Sequence, residues 1–204
     1  MTICLSNASK RFNRDWIFKN LSYTFNSGTA YVITGPNGSG KSTLLQAISG
    51  ASLLNDGTIT YSLDKKVEDE EVYKQVSICA PYLELIEEMT ALEFLDFHCA
   101  FKPFLTGIDS EKAIEIIGLQ KARNKQIRYF SSGMKQRIKL AQCILADTAI
   151  VLLDEPCTNL DVDGIALYHS LIATYCKERL VIVSSNDETE YRFCTERIQI
   201  SDYK

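Results

Sequence analysis

The sharpest chemical signal in the chain is the run Gly35-Pro36-Asn37-Gly38-Ser39-Gly40-Lys41-Ser42-Thr43. It fits Gly, four arbitrary residues, then Gly-Lys-Ser/Thr, placed between an apolar strand-like run and a helical one. Phosphate oxygens concentrate negative charge. Glycines let backbone N–H groups turn toward that charge without a Cβ clash, and the helix that follows offers unpaired amides and its positive end. Lys41 is expected to reach the β- and γ-phosphates of a nucleoside triphosphate, and Ser42 to bind Mg²⁺.

A second cluster lies at Ile150-Val151-Leu152-Leu153-Asp154-Glu155-Pro156, an apolar strand that ends in two carboxylates. Charge at the end of a buried strand is costly unless something pairs with it. In an open parallel sheet, ligands bind beyond the carboxyl ends of the strands. Asp154 is therefore expected to hold Mg²⁺, directly or through water, and Glu155 to orient and deprotonate an attacking water.

These residues need a scaffold. Strand-like runs cover residues 2–5, 21–25, 30–34, 58–61, 76–80, 149–153, 180–184 and 197–200, alternating with helical stretches. The runs AIVLL and LVIVSS are apolar almost throughout, which suits strands covered on both faces. One helix starts at Lys41 and stops near Gly50. A capping box, Thr90-Ala91-Leu92-Glu93, starts another. Asp109 or Ser110 caps a third, which Gly118 ends, and residues 132–145 and 162–176 are further helices. The predicted class is α/β, with a core of residues 1–87 and 147–204 and an inserted helical subdomain of residues 88–146.

With these motifs in place, the chain closely resembles the nucleotide-binding domain of ABC ATPases. Phe130-Ser131-Ser132-Gly133-Met134-Lys135-Gln136-Arg137 is similar to that family's signature. By itself it reads as a helix-capping turn; between the two nucleotide motifs it reads as the signature. Thr158-Asn159-Leu160-Asp161 resembles the D-loop, and Phe12 the aromatic that stacks on adenine, with Trp16 the alternative. The resemblance covers about residues 2–200. It implies a P-loop NTPase core with a mixed sheet, an antiparallel β subdomain and the helical insertion. It also implies ATP with Mg²⁺ as ligands, and a head-to-tail dimer in which Ser131 and the Gly133 amide meet the γ-phosphate bound to the facing subunit.

Two positions depart from the family pattern. Asn186 stands where a γ-phosphate-contacting His is usual; an amide donates a hydrogen bond but carries no proton charge near neutral pH. Tyr82, aligned on Pro81, stands where a Gln that contacts Mg²⁺ is usual, and a phenol is a poorer ligand for a hard cation; Glu84 is a possible substitute. Slow or partner-dependent hydrolysis is the expectation.

The chain has 204 residues with 46% hydrophobic content and a net charge of −4, which argues against a nucleic-acid binder. Seven cysteines without metal spacing read as reduced, buried thiols of a cytosolic protein. No run approaches the roughly 20 apolar residues of a membrane span, and the N-terminus lacks a signal core. The leading expectation is a transporter ATPase, cytoplasmic and held at the inner face of the membrane by a separate permease subunit. It would pair as a homodimer or with a similar chain and dock through the helical subdomain and residues 82–89. The alternatives are a soluble ABC protein acting on ribosomes or DNA, and a regulatory module that binds ATP with little hydrolysis.

Overall fold

The computed structural model describes residues 1–63 and 65–204. In chain order the main elements are β1 (Thr2–Phe12), β2 (Asp15–Asn26), β3 (Ala30–Thr34), α1 (Lys41–Ile48), β4 (Asp56–Ser62), β5 (Lys66–Val67), α2 (Val72–Gln75), β6 (Val76–Cys79), α3 (Ala91–Phe101), α4 (Ser110–Ile116), α5 (Ser132–Ile144), β7 (Ile150–Asp154), α6 (Val162–Tyr175), β8 (Leu180–Ser184), α7 (Glu188–Tyr191) and β9 (Glu196–Gln199). They form two compact units: Met1–Ile78, Ala149–Asp154 and Glu178–Lys204 in one, Cys79–Thr148 and Glu155–Lys177 in the other.

The first unit carries an antiparallel sheet, order β2-β1-β4-β5, and a five-stranded sheet, order β6-β7-β8-β3-β9. Its described pairs β7–β8, β8–β3 and β3–β9 are all parallel. Strands β7 and β8 are buried from end to end, as their unbroken apolar runs require. Helix α1 packs on β7 and β8 through Leu44, Leu45 and Ile48, all fully buried.

The first hairpin is longer than its sequence suggests: β1 reaches Phe12 rather than residue 5, and β2 starts at Asp15 rather than residue 21. The cause is a change of parity. Ile3 and Leu5 face the core, then Ala8; on the partner strand Phe18 faces it, then Leu21 and Phe25. Asn7 and Asn20 take left-handed backbone at φ 50° and 52°, and the ladder slips between Leu5 and Ala8. Asparagine tolerates that conformation and so carries the bulge. Serine hydroxyls accept the displaced amides, Ser22 Oγ from Asn7 N–H and Ser9 Oγ from Asn20 N–H, both at 2.9 Å.

The second unit is helical. Thr90 and Glu93 form the predicted capping box on α3: Thr90 N–H donates to Glu93 Oε2 at 2.8 Å, and Glu93 N–H to Thr90 Oγ1 at 3.2 Å. Asp109, rather than Ser110, caps α4, and Gly118 follows its end at φ 71°. Helix α3 packs on α4 and α5, and α5 on α6. The contacts divide the chain differently from the expected boundaries at 88 and 146. Residues 79–87 and 155–177 group with the helices, because Ile127 and Arg128 amides bond to the Met89 and Glu87 carbonyls and because α6 rests on α5. In residues 82–89, Leu85 packs inward while Tyr82 and Ile86 are 46% and 38% exposed.

The seven thiols are free. Cys79, Cys143 and Cys176 are buried, whereas Cys4, Cys99, Cys157 and Cys194 are only half-buried, so the expectation of uniformly buried thiols is corrected.

Candidate nucleotide site

The loop of residues 35–43 leaves β3 and opens α1. Gly35 and Gly40 have positive φ of 151° and 106°. Space as well as conformation excludes a side chain here: a Cβ on Gly35 would lie 2.5 Å from Ile200 Cγ2, and one on Gly40 would collide with Ile17 Cγ2. Ser39 N–H donates to Pro36 O at 3.0 Å, closing the turn that carries Asn37 and Gly38. Helices α3, α4, α5, α6 and α7 each receive a side-chain cap, but the N-cap of α1 is Gly40, which supplies none. The first amides of α1, at Lys41, Ser42 and Thr43, lie outside the helical ladder and face an anion-binding terminus.

Two buried polar groups fit such a ligand. Ser39 Oγ has no hydrogen-bond partner among the described residues. Lys41 is 6% exposed, and its ammonium donates back to the Gly35 carbonyl at 2.8 Å and the Pro36 carbonyl at 3.5 Å, a position from which it can exchange carbonyls for phosphate oxygens.

The sheet register sets the acid opposite this loop. Asp154 on β7 pairs with Ser184 on β8, and Ser184 pairs with Ile33 on β3, so the three form one row across the carboxyl end of the sheet. With strands about 4.8 Å apart, Asp154 stands roughly 10 Å from the strand that launches the loop. Asp154 is 3% exposed and no hydrogen bond or ion pair to a described residue satisfies its carboxylate. A carboxylate at this end of the sheet, in one row with the strand that launches the phosphate cradle, suits a hard divalent cation with oxygen ligands. Ser42, half-buried on the first turn of α1, is a compatible partner ligand.

Asn186 Oδ1 accepts the Gly35 N–H at 3.1 Å, tying the segment after β8 to the loop. Its NH₂ remains a donor. On the first hairpin, Trp16 has two cations near its ring, Arg11 at 5.3 Å and Lys19 at 5.1 Å. Phe12 has one, Lys10 at 5.2 Å, and is 51% exposed, which leaves it the freer base platform.

In the second unit, Ser131 caps α5, its Oγ accepting Met134 N–H at 3.2 Å. A cleft of about 240 Å³ opens there, lined by Ser131, Gly133, Arg137, Asn159 and Asp161 among others. A Cβ on Gly133 would sit 3.1 Å from the Asn159 carbonyl, so a side chain here requires that carbonyl to give way by a few tenths of an ångström. Arg137 reaches Asp161 Oδ1 at 3.5 Å, and Asp161 caps α6 through Gly164 N–H at 2.8 Å. Glu155 is exposed and has φ 44°. For a residue with a Cβ that left-handed backbone costs about 1–2 kcal/mol, so surrounding bonds must hold it. Tyr82, half exposed, lies in the turn after β6 in this unit, whereas Ser42 and Asp154 belong to the first.

One contributor escaped the sequence reading. Gln136 on α5 is 4% exposed, and its Nε2 donates to the Pro156 carbonyl at 2.7 Å. Its signal was present: Gln136, Leu140 and Cys143 share one helical face, so the period assigns an amide to the interior, where it needs a partner.

A family model described as ABC transporter matches residues 18–158. The chain belongs to the ABC transporter ATP-binding family. The ABC ATPase described here is 32% identical over 184 residues to the uncharacterized ABC transporter ATP-binding protein YybJ of Bacillus subtilis, covering 90% of this chain and 84% of the relative. It is 30% identical over 204 residues to B. subtilis YhcH, of which it spans 65%. It is also 30% identical over 195 residues to the cytochrome c biogenesis ATP-binding export protein CcmA of Rhizobium etli, covering 92% and 89%. The dimeric structure of MJ0796, a bacterial ABC transporter cassette, superposes with a TM-score of 0.82 at 24% identity over 97% of this chain and 94% of that one, a likeness of fold. The α/β architecture expected of the ABC ATPase, with its P-loop core, antiparallel sheet and helical region, is the one observed. Among the described residues no helix is long and apolar enough to cross a membrane.

Proposed function

We propose that this chain hydrolyses ATP as the nucleotide-binding subunit of a transporter whose membrane-spanning part is a separate protein. The observation that carries the proposal is Asp154, 3% exposed and in one sheet row with the strand that launches the uncapped, glycine-lined loop. The α1 amides, Ser39 and Lys41 bind and orient the triphosphate, and Phe12 stacks on the base. Ser42 and Asp154 would hold Mg²⁺, with Tyr82 a further candidate ligand. When bound, the ion neutralises charge that develops on the β- and γ-oxygens. Glu155 accepts the proton of the attacking water. The neutral Asn186 NH₂ donates to phosphate and cannot titrate, so turnover is slow or depends on a partner.

Ser131 and Gly133 serve the nucleotide of a facing copy, which makes a head-to-tail dimer the working form; MJ0796 is described as dimeric. CcmA is named an export protein, and an analogous peripheral place on the cytoplasmic face of a membrane is proposed for this chain. The docking surface is the helical unit. Its cleft of about 360 Å³ lies between Leu83, Glu84 and Glu87 on one side and Lys135 and Lys139 on the other, beside the exposed Tyr82 and Ile86.

Turnover of the purified chain beside Glu155→Gln tests the enzyme. Wild type should exceed the variant by at least 100-fold, on the scale of a lost general base. Equal rates would favour the alternative that the Asn186–Gly35 bond supports, an ATP-binding regulatory module. Co-purification with a multi-span membrane protein tests the partner.

A further inference from the structure

We propose that Gln136 is the positioning residue for the general base: its side-chain amide fixes the turn that aims Glu155, and thereby joins the signature helix to the hydrolytic step. This rests on the hydrolytic reading given above.

Glu155 occupies left-handed backbone although it is not glycine. Pro156, next in the chain, has no N–H with which to anchor the turn. Hydrogen bonds brace the segment from within and from without. Thr158 N–H donates to the Glu155 carbonyl at 3.1 Å, and Gln136 Nε2 donates to the Pro156 carbonyl at 2.7 Å. The first is local and moves with the turn. The second comes from a different element, so it fixes the turn against an outside frame. That frame is rigid: Gln136 is 4% exposed in the middle of α5, among the buried Ile138, Leu140 and Ala141. Its amide also lies 3.7 Å from Cys79 Sγ at the end of β6, so both donor hydrogens are directed and the side chain is locked. Ser131, the N-cap of α5, lies five residues before Gln136. A group that meets one nucleotide and a group that sets the base for another are thus fixed to the same helix.

An apolar residue of similar volume keeps the packing and loses the donor. In Gln136→Leu the Pro156 carbonyl has no partner, and the base wanders from its line of attack. Misplacement of a reacting group by about 1 Å costs on the order of 100-fold.

The experiment is steady-state ATP turnover of the full chain for wild type, Gln136→Leu, Glu155→Gln and the double variant, with binding of a fluorescent ATP analogue and thermal melting measured on each. The expected result is a fall in kcat of roughly 10- to 100-fold for Gln136→Leu. KM and analogue affinity should stay within about twofold, and Gln136→Leu should add no further loss in the Glu155→Gln background, because the two act through one group. Gln136→Glu, which keeps the shape and reverses the hydrogen-bond polarity, should lose kcat similarly. An unchanged kcat, a parallel loss of nucleotide affinity, or an equal loss on top of Glu155→Gln would overturn the proposal. Failure of both variants to fold would do so too, by making Gln136 a stability residue only. A wild type no faster than Glu155→Gln would instead remove the hydrolytic reading, and the proposal with it.

Discussion

Asn186 Oδ1 and Gly35 N–H are joined by a 3.1 Å hydrogen bond that ties the segment after β8 to the start of the phosphate loop. The bond gives a polar side chain at this position a structural task beside any contact with nucleotide. Asn186→Ala should free the Gly35 amide and weaken nucleotide affinity by roughly 2- to 10-fold, the scale of one hydrogen bond. Titration with a fluorescent ATP analogue would measure it, and an unchanged affinity would show that the loop holds itself.

Lys41 donates to two loop carbonyls from a buried position. Replacement by Met preserves the aliphatic stem and removes the charge. Since charge-assisted bonds are about twice as strong as neutral ones, ATP affinity should fall by at least 10-fold. Melting of the ligand-free chain should change little; a large drop would assign Lys41 mainly to loop stability.

Gly133 has the Asn159 carbonyl 3.1 Å from where a Cβ would stand. Gly133→Ala should therefore displace the D-loop while leaving the phosphate loop of the same copy alone. Gel filtration of Glu155→Gln with ATP should show a shift from monomer to dimer that the added Gly133→Ala substitution reduces. A full shift in the double variant would argue against the head-to-tail arrangement.

His98 packs in the helical unit with its Nε2 buried and without a hydrogen-bond partner among the described residues, and burial followed by the nearby Lys102 charge pushes its pKa below 6.5. A folded-state pKa lower than the unfolded one gives stability that is present above about pH 6.5 and lost as pH falls through the folded value. Melting temperature should decline on acidification from pH 7.5 to 5.5, and His98→Phe should flatten that part of the curve.

Burial pushes the Cys194 thiol up to about 12, and its S–H donates to the Tyr31 carbonyl. The thiolate is the reactive form, so Cys194 should resist alkylation at pH 8 in the folded chain and react on unfolding. Peptide mapping after iodoacetamide treatment would show the order.

How much of this was legible depended on how local each cause is. The loop 35–43, the strand into Asp154 and the capping box at Thr90 rest on neighbours a few residues away, so their types and spacing disclosed them. The reach of β1 to Phe12 was hidden because Asn7 breaks the alternation from which strands are read. The α6 stretch goes with the helices through packing on α5, a relation no linear pattern carries. Asn186 was singled out as an anomaly, but its bond to Gly35 spans 151 positions and emerges only in three dimensions. Gln136 fell between these cases: the pattern marked it as interior, and only the fold names its acceptor.

The paired bulges at Asn7 and Asn20 have a consequence for how the base platform can change. Side chains alternate sides along a strand, so removing a single residue at Asn7 would turn over everything distal to it, Phe12 included, and present the aromatic ring to the opposite side of the hairpin. Exchanges of one residue for another should be absorbed along this ribbon, whereas insertions and deletions of one should abolish base stacking while leaving the phosphate cradle whole.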